Sequence, residues 1–190
     1  SGVTALWQEW RDWLDKEYPE AVLVAEWCQP RQSIPAGFHV DFMSFGQNGY
    51  AELLRAEKNR FANHYAYSGK QTSSFFAPRS DTPGDASTFF ADLADNMEVT
   101  AGKGYCGIIT GNHDIGRCRG NDRTYEEMKS AYALLFLLPG VPFVYYGDEI
   151  GMNNVHGLGN VEGSYNRSVA RTPMQWTPGE KAGFSTAEPS

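Results

Sequence analysis

The sequence alternates short, largely apolar runs with longer amphipathic stretches, and polar or acidic residues follow each apolar run directly. The apolar runs lie at 21–25, 37–43, 106–110 and 141–146. A strand that is covered on both faces needs no alternation of polar and apolar side chains, so its sequence is continuously apolar. The pattern therefore predicts four strands of a covered, parallel sheet.

An amphipathic helix is predicted ahead of the first strand, over residues 4–18. Its apolar positions recur at helical spacing, and charged residues lie between them. Pro19 ends the helix, because proline cannot continue the hydrogen-bond ladder. Trp7, Trp10 and Trp13 could form a surface that stacks on sugars, but their helical spacing favours packing in the core.

Three further helices are predicted from the stretches between the later apolar runs. Ser87 is predicted as the N-cap of one helix, and Thr124 with Glu127 resembles the capping box of another. The predicted helices cover 47–61, 87–98 and 124–138. Residues 63–85 are rich in Gly, Ser, Pro and aromatic residues without a clean period, so we expect an irregular segment that lies over the sheet.

The order of these elements determines where the polar residues after the strands meet. Right-handed crossovers make the strands parallel, so all their carboxyl ends lie at one edge of the sheet. The acidic residues that reach this edge are Glu26, Asp41, Asp114, Asp148 and Glu149. A doubly wound sheet fits this order too, but it usually has a glycine-rich phosphate loop, and the sequence contains none. The predicted fold is therefore α/β, a stretch of a (β/α)8 TIM barrel.

Length and composition exclude several classes of function. The chain has 190 residues, enough for one domain, and 41% of them are hydrophobic. The net charge is −7 without a basic cluster, which argues against nucleic acid as a partner. The longest apolar run, Ala133 to Leu138, is too short to cross a bilayer, so no membrane role is expected. The three cysteines do not have the spacing of metal ligands. Neither the cysteines nor the abrupt start at Ser1 indicates a cellular compartment.

The richest candidate chemistry follows the third apolar run. The run ends at Gly111, and Asn112, His113 and Asp114 come directly after it. Polar groups just past a parallel strand are where α/β folds place their chemistry. The alternative is that Asn112 and Asp114 only cap the next helix.

A second candidate, Glu26, follows the first apolar run and has Trp27 beside it. One interpretation is a solvated acid in a loop. The other is a carboxyl group in a dry setting, which would favour its protonated form near neutral pH and suit it to act as a general acid.

Four segments match the motifs of one enzyme family in order and spacing. They are Val-Leu-Val-Ala-Glu-Trp at 22–27, Thr-Gly-Asn-His-Asp-Ile-Gly-Arg at 110–117, Leu-Pro-Gly-Val-Pro-Phe-Val-Tyr-Tyr-Gly-Asp-Glu-Ile-Gly-Met at 138–152, and a tail with Glu-Gly-Ser-Tyr-Asn-Arg at 162–167 and Arg-Thr-Pro-Met-Gln-Trp at 171–176. The chain resembles the α-amylase family of retaining glycosidases, glycoside hydrolase family 13. The tail is similar to that of members on the border between α-glucosidases, amylases and oligo-1,6-glucosidases.

The resemblance implies a role for each matching residue. Glu26 would donate a proton to the leaving glycosidic oxygen and then accept one from water, as the acid/base. Asp114 would be the ionised carboxylate that stabilises the oxocarbenium-like transition state. The residues expected to bind substrate are His113, Asn112, Arg117 and Trp27. No metal ligands are predicted in this chain and no cofactor is visible, although members of the family often bind calcium through ligands upstream.

Two departures from the family pattern matter. The family's nucleophile is an aspartate in a motif resembling Gly-Phe-Arg-x-Asp, which precedes the acid/base motif. Here the similar Gly-Phe-His-Val-Asp, ending at Asp41, follows Glu26 and matches the sixth strand by order, so Asp41 is not expected to be the nucleophile. The family often has proline where this chain has Gly116, so the backbone there is expected to differ.

The resemblance therefore implies the second half of a catalytic barrel. Residues 1–152 would carry strands five to eight, and residues 153–190 would form the loop and tail after the last strand. The predicted activity is hydrolysis of α-glucosidic bonds in α-gluco-oligosaccharides. Alternatives are a transglycosidase such as a trehalose synthase, and a non-catalytic carbohydrate-binding relative. The piece alone is expected to be inactive, because it lacks the nucleophile, and to need the missing barrel half or a second copy as its partner.

Overall fold

Four parallel strands form the sheet of this protein. The computed structural model describes residues 2–43, 49–54, 74–76, 84–120, 123–155, 158 and 167–187. The strands pair in chain order, each parallel to the next. They are β1 (Val24–Ala25), β2 (Val40–Phe42), β3 (Tyr105–Ile109) and β4 (Val141–Phe143). The predicted parallel order is confirmed, and the paired parts are shorter than the apolar runs.

Five α-helices surround the sheet in the part of the chain that is described. They are α1 (Gly2–Glu17), α2 (Pro30–Ser33), α3 (Tyr50–Leu54), α4 (Ser87–Thr100) and α5 (Tyr125–Leu137). Short 3-10 turns follow at Arg167–Ala170 and Glu180–Gly183. The sequence did not predict α2, a single turn with proline at its start. Of the predicted helix over 47–61, only 49–54 lies within the described residues, and most of the irregular segment over 63–85 lies outside them.

The caps of the two long helices behave differently. The capping box of α5 is confirmed, since the Thr124 side chain accepts from the Glu127 N–H and the Glu127 carboxylate accepts from the Thr124 N–H. The N-cap prediction for Ser87 is wrong, because Ser87 is the first helical residue and Ala86 is the N-cap. The carboxylate of Asp85 accepts from both the N–H and the hydroxyl of Ser87, and so takes over the capping role.

The core lies between the sheet and the helices α3, α4 and α5. Its largest members are fully buried and come from all three helices and β3: Tyr50, Leu53, Leu54, Phe89, Ile108 and Leu135. Gly107 on β3 leaves room for the Phe42 ring of β2, because a Cβ at position 107 would stand 2.8 Å from that ring. The rings of Phe42 and Phe143 pack edge to face at 4.9 Å. This packing holds the carboxyl ends of β2, β3 and β4 together.

Helix α1 is the exception, since none of its residues is buried. Trp7 packs on Phe38 with ring centroids 4.7 Å apart, but Trp10 is 53% exposed and Trp13 is 47% exposed. The prediction that these two tryptophans pack in the core is wrong for the described part of the chain. The helix meets its neighbours through one face, where Trp7 approaches the loop before β2 and Arg11 donates to the Gly37 carbonyl.

The outer strands leave apolar surface uncovered, as the sequence predicts for half a barrel. Within the described ranges, β1 and β4 each pair with one neighbour. Val22, Val24 and Val144 are 58%, 43% and 42% exposed, whereas Ile109 on β3 is buried. In the described ranges no helix has both the length and the apolar character that crossing a bilayer requires.

Candidate active site

The carboxyl ends of β1 and β3 bring together the three residues that the sequence singled out. One polar side-chain atom from each of Glu26, His113 and Asp114 lies within 4.8 Å of the other two. Strand β2 separates β1 from β3, so the loops that follow these strands lean toward each other above it. The sequence predicted that these three side chains lie at one edge of the sheet, and the structure places them together there. Their chemical roles stay predictions.

Asp41 on β2 bonds the backbone of the turn that follows Glu26. The Asp41 carboxylate is fully buried and accepts the backbone N–H groups of Trp27, Cys28 and Gln29 at 2.9 to 3.1 Å. It also accepts the Ser33 hydroxyl at 2.6 Å. Three successive N–H groups pointing at one carboxylate define a tight turn, in which Cys28 takes a left-handed φ of 62°. Asp41 therefore shapes the loop after Glu26 and does not face the cleft.

The turn that carries Asp114 is shaped by Asn112. The Asn112 side-chain oxygen accepts the N–H groups of Asp114 and Ile115 at 2.8 and 2.9 Å. This oxygen mimics a backbone turn, as asparagine side chains commonly do. Gly116 then takes a φ of 78°, which the proline ring excludes. The sequence predicted that the backbone differs from the proline-containing family pattern here. The alternative that Asn112 and Asp114 cap the next helix is wrong, because a turn follows Asn112 and the next helix, α5, has Thr124 as its N-cap.

The structure does not bring Arg117 to the cleft. Its side chain is 1% exposed, and its guanidinium donates to the carbonyls of Tyr146 and Thr172. The guanidinium carbon also lies 5.3 Å and 4.8 Å from the ring centroids of Tyr145 and Tyr146. The geometry therefore gives Arg117 an internal role, holding the segment after β4, in place of the substrate contact that the sequence suggested.

The dry setting predicted for Glu26 is absent from the described structure. Glu26 is exposed, and Trp27 beside it is 41% exposed. The physical reason is that β1 has a paired neighbour on one side only, so no described residue walls off the carboxyl group. Desolvation of Glu26 would have to come from other parts of a barrel or from substrate.

A fourth residue of the site was missed by reasoning from the sequence. Arg171 donates from Nη2 to Asp114 Oδ1 at 3.1 Å and from Nε to the His113 carbonyl at 3.0 Å. The sequence offered one signal, because Arg171 opens the tail motif that resembles the family, but that motif carried no role for it. The placement of Arg171 depends on the path of the chain after β4, which no local pattern predicts.

The three clustered residues are also the one His/Cys/Asp/Glu group in the described structure with the spacing of metal ligands. Calcium prefers six to eight oxygen ligands, and a set with an imidazole and two carboxylates matches this poorly. The set fits a sugar better, since carboxylates and a histidine bind hydroxyl groups. Calcium in a complete enzyme stays a prediction that concerns other residues.

Of the two acids after β4, Glu149 is exposed and Asp148 is internal. Asp148 is fully buried, accepts the Thr110 hydroxyl at 2.7 Å and accepts the Cys118 N–H at 3.2 Å. It ties the loop after β3 to the loop after β4. Of the acids at this edge of the sheet, Glu26 and Asp114 are therefore the pair that the structure brings together in the cleft.

A parallel sheet with helical crossovers and with polar residues clustered at its carboxyl edge is the arrangement found in (β/α) barrel enzymes. A family model described as the alpha amylase catalytic domain matches residues 3–190. The chain belongs to the α-amylase family.

Characterised relatives match parts of the chain. The trehalose synthase/amylase TreS of Mycobacterium tuberculosis is 54% identical over 69 residues, which cover 36% of this chain and 10% of that protein. The glucan 1,6-alpha-glucosidase of Streptococcus pneumoniae is 34% identical over 125 residues, covering 48% and 23%. The probable oligo-1,6-glucosidase 3 of Bacillus subtilis is 31% identical over 137 residues, covering 55% and 25%. The matches thus span a quarter or less of each relative.

Solved structures share the fold. A variant of the trehalulose synthase MutB bound to Tris superposes with a TM-score of 0.65 at 21% identity, covering 98% of this chain and 37% of that one. Another MutB variant, solved with the substrate sucrose, has a TM-score of 0.63 at 20% identity and the same coverage. The chain therefore spans little more than a third of these enzymes, and it corresponds to part of their barrel fold.

Proposed function

We propose that the polypeptide containing this chain acts on α-glucosidic bonds of α-gluco-oligosaccharides by a retaining mechanism. The observation that carries the proposal is the meeting of Glu26, His113 and Asp114 within 4.8 Å at the carboxyl edge of the parallel sheet. One sugar ring could touch all three groups from such a cleft. Membership of the α-amylase family supports the same chemistry.

Glu26 is assigned the acid/base role. It lies at the end of β1 with its carboxyl group exposed toward the cleft, where a glycosidic oxygen could reach it. A protonated carboxyl group there lowers the barrier by protonating the leaving oxygen, and the resulting carboxylate then accepts a proton from the incoming acceptor.

Asp114 is assigned the role of an ionised carboxylate that binds sugar hydroxyls and stabilises positive charge at the anomeric carbon. A fixed negative charge is most valuable where positive charge develops in the transition state. Two features fix its position, the Asn112 turn before it and the Arg171 guanidinium beside it. His113, which is half exposed next to it, is placed to bind a hydroxyl of the same sugar.

The nucleophile is proposed to come from outside this chain. Asp41 cannot serve, because its fully buried carboxylate is occupied by four backbone N–H groups and a hydroxyl. A retaining glycosidase needs a third group that forms the covalent glycosyl intermediate. The chain by itself should therefore show no glycosidase activity.

The rest of the barrel is the proposed partner of the uncovered surfaces. Trp10, Trp13 and Val22 are each about half exposed, and the outer edges of β1 and β4 lack described neighbours. Exposed strand edges and apolar patches favour association. Pairing with a second copy is the alternative, and the size of the isolated chain in solution distinguishes the two.

Hydrolysis is the first candidate reaction, and transfer of a glucosyl group is the second. The similarity to 1,6-glucosidases supports hydrolysis, whereas the 54% identity to the trehalose synthase/amylase TreS over 69 residues favours isomerising transfer. Both reactions use the same acid/base and the same covalent intermediate, and they differ in whether water or a sugar accepts the glucosyl group.

Product analysis of the complete polypeptide on maltose, isomaltose and starch tests the proposal. Release of glucose supports a hydrolase, and conversion of maltose to trehalose supports a synthase. No turnover of any substrate by folded protein that still binds maltose would overturn both, and would support a non-catalytic carbohydrate-binding protein. A Glu26→Gln variant is the matched control for contaminating glycosidases.

A further inference from the structure

The segment Ala170–Thr172, here named the tail strap, is fastened across the carboxyl edge of the sheet. Tyr145 donates its hydroxyl to the Ala170 carbonyl at 3.1 Å, and Tyr146 donates its hydroxyl to the Thr172 carbonyl at 2.7 Å. The buried Arg117 adds a third bond to the Thr172 carbonyl at 3.2 Å. Burial raises the pKa of Tyr145, so its hydroxyl keeps the proton that it donates.

These three bonds fix the backbone on both sides of Arg171. Its guanidinium reaches back over the loop after β3, where Nη2 meets Asp114 Oδ1 at 3.1 Å and Nε meets the His113 carbonyl at 3.0 Å. The planar guanidinium presents these two donors in a rigid arrangement. Because one contact is to the backbone and the other to the carboxylate, the pair sets the orientation of the Asp114 side chain relative to its own main chain.

The charge on Arg171 also matters for the acidic pair. A carboxyl oxygen of Glu26 and one of Asp114 lie within 4.8 Å of each other, so the two charges repel once Glu26 has given its proton to the leaving oxygen. A guanidinium at 3.1 Å from Asp114 offsets that repulsion more directly than His113, whose Nε2 lies 3.6 Å away and is charged only when protonated. The two side chains of the Arg171–Asp114 pair are 35% and 29% exposed, so solvent screens the contact only in part.

We propose that Arg171 is a positioning residue of the active site, which the tail strap holds against Asp114 so that this carboxylate faces the reacting sugar. The inference rests on the proposed function, since Asp114 acts on the sugar only if the polypeptide is a glycosidase. It adds a reason for the tail to be part of the catalytic domain, because the strap delivers a charged group to the site from 57 residues beyond Asp114.

A merely structural role for Arg171 predicts a different pattern of effects. If the contact only anchored the tail, its loss would lower the unfolding free energy, and added small guanidinium compounds would not restore turnover. If Arg171 positions Asp114, its loss lowers kcat more than it raises KM, because the orientation of the charge matters most in the transition state. A free guanidinium ion could then occupy the vacated volume and restore part of the activity.

The test compares Arg171→Ala, Arg171→Lys and Arg31→Met in the complete polypeptide. Arg31 forms an ion pair with Asp92 that involves none of Glu26, His113 and Asp114, so it controls for the loss of an arginine–carboxylate contact as such. We expect Arg171→Ala to lose about ten- to a hundredfold in kcat, the effect of one charge-assisted hydrogen bond, and Arg171→Lys to recover part of it. Methylguanidine well below denaturing concentration should raise the kcat of Arg171→Ala and leave wild type and Arg31→Met unchanged.

Three results would overturn the inference. Wild-type kcat for Arg171→Ala, or a loss of kcat that tracks the loss of unfolding free energy without rescue by methylguanidine, would make Arg171 a tail anchor only. An Arg171→Ala crystal structure in which the Asp114 carboxylate keeps its orientation would do the same. Failure of the proposed function is a separate outcome, visible as no turnover by the wild-type polypeptide, and it would remove this inference as well.

Discussion

The carboxylate of Asp41 accepts the backbone N–H of Cys28 at 2.9 Å, so an acid on β2 holds the turn that follows the acid on β1. By sequence, the segment ending at Asp41 resembled the motif of the family's nucleophile, yet the Asp41 side chain is fully buried and bonds the loop after Glu26. Strand β2 thus fixes, through Asp41, the turn that follows Glu26. This relationship gives Asp41 a structural role, whereas Glu26 is the acid that we propose acts on the substrate.

Asp41→Asn tests that division. Asparagine keeps one acceptor oxygen but turns its NH₂ group either toward the N–H groups of Trp27 and Cys28 or toward that of Gln29, so donors face donors in both orientations. We expect the free energy of unfolding to fall by about 1–3 kcal/mol, since buried N–H groups lose a charged acceptor. Urea denaturation of the complete polypeptide measures this, with the exposed Asp12→Asn as the control. Equal stability of the two variants would contradict a structural role for Asp41.

Glu26→Gln should separate substrates by their leaving groups. An alkoxide leaving group needs a proton, whereas an activated aryloxide does not, so loss of the acid should cost several orders of magnitude on maltose and much less on a nitrophenyl α-glucoside. Steady-state kinetics on both substrates measures the difference. If both rates fall equally, Glu26 is not the general acid.

Asp114→Asn should lower kcat strongly while binding of maltose changes less. Asparagine still offers an oxygen to Arg171, so the geometry of the contact can persist while the charge is lost. We expect a loss of about 10²- to 10³-fold in kcat, typical of removing one electrostatic stabiliser. Kinetics and calorimetry on the same preparation give the two quantities. A near-normal kcat, or a loss seen only in binding, would argue against a transition-state role.

Cys106 predicts a loss of stability in alkali. Burial raises the pKa of its thiol to about 11 from the ordinary 9.0, because the thiolate is poorly solvated in the core. The folded state then holds this proton more tightly than the unfolded state, so the contribution to stability is complete below pH 9.0 and is lost as pH rises toward about 11.

Urea unfolding at about pH 8 and about pH 10.5 measures this effect. The Cys106→Ala variant should lose less stability between the two pH values than wild type does, whereas the Cys28→Ala variant should match wild type, since Cys28 is only partly buried. The same pH dependence in all three proteins would show that Cys106 is not its source.

The sequence predicted the parts of this structure that follow from local patterns and strand order. The parallel order of four strands and the meeting of Glu26 with Asp114 follow from apolar runs with polar ends, and the capping box follows from the spacing of Thr124 and Glu127. The α-amylase resemblance added the family, which the match over residues 3–190 shows.

Contacts between distant segments could not be predicted in this way. Arg117 lay next to the candidate site in sequence, but its side chain turns inward to the tail, and only the path of the segment after β4 explains why. The path of the chain after β4 also brings Arg171 to Asp114, a contact that no local pattern predicts. The exposure of Trp10 and Trp13 shows the same limit, since helical spacing identifies an apolar face but not what covers it.

The stereochemistry of the first product tests the central claim most directly. Proton NMR can follow the complete polypeptide on a nitrophenyl α-glucoside before the released sugar mutarotates. An acid/base at Glu26 working with a nucleophile supplied by another part of the barrel requires two inversions, so α-glucose, or an α-linked transfer product, should appear first. If β-glucose appears first, the reaction is a single inverting displacement, and the roles proposed for Glu26 and Asp114 are wrong.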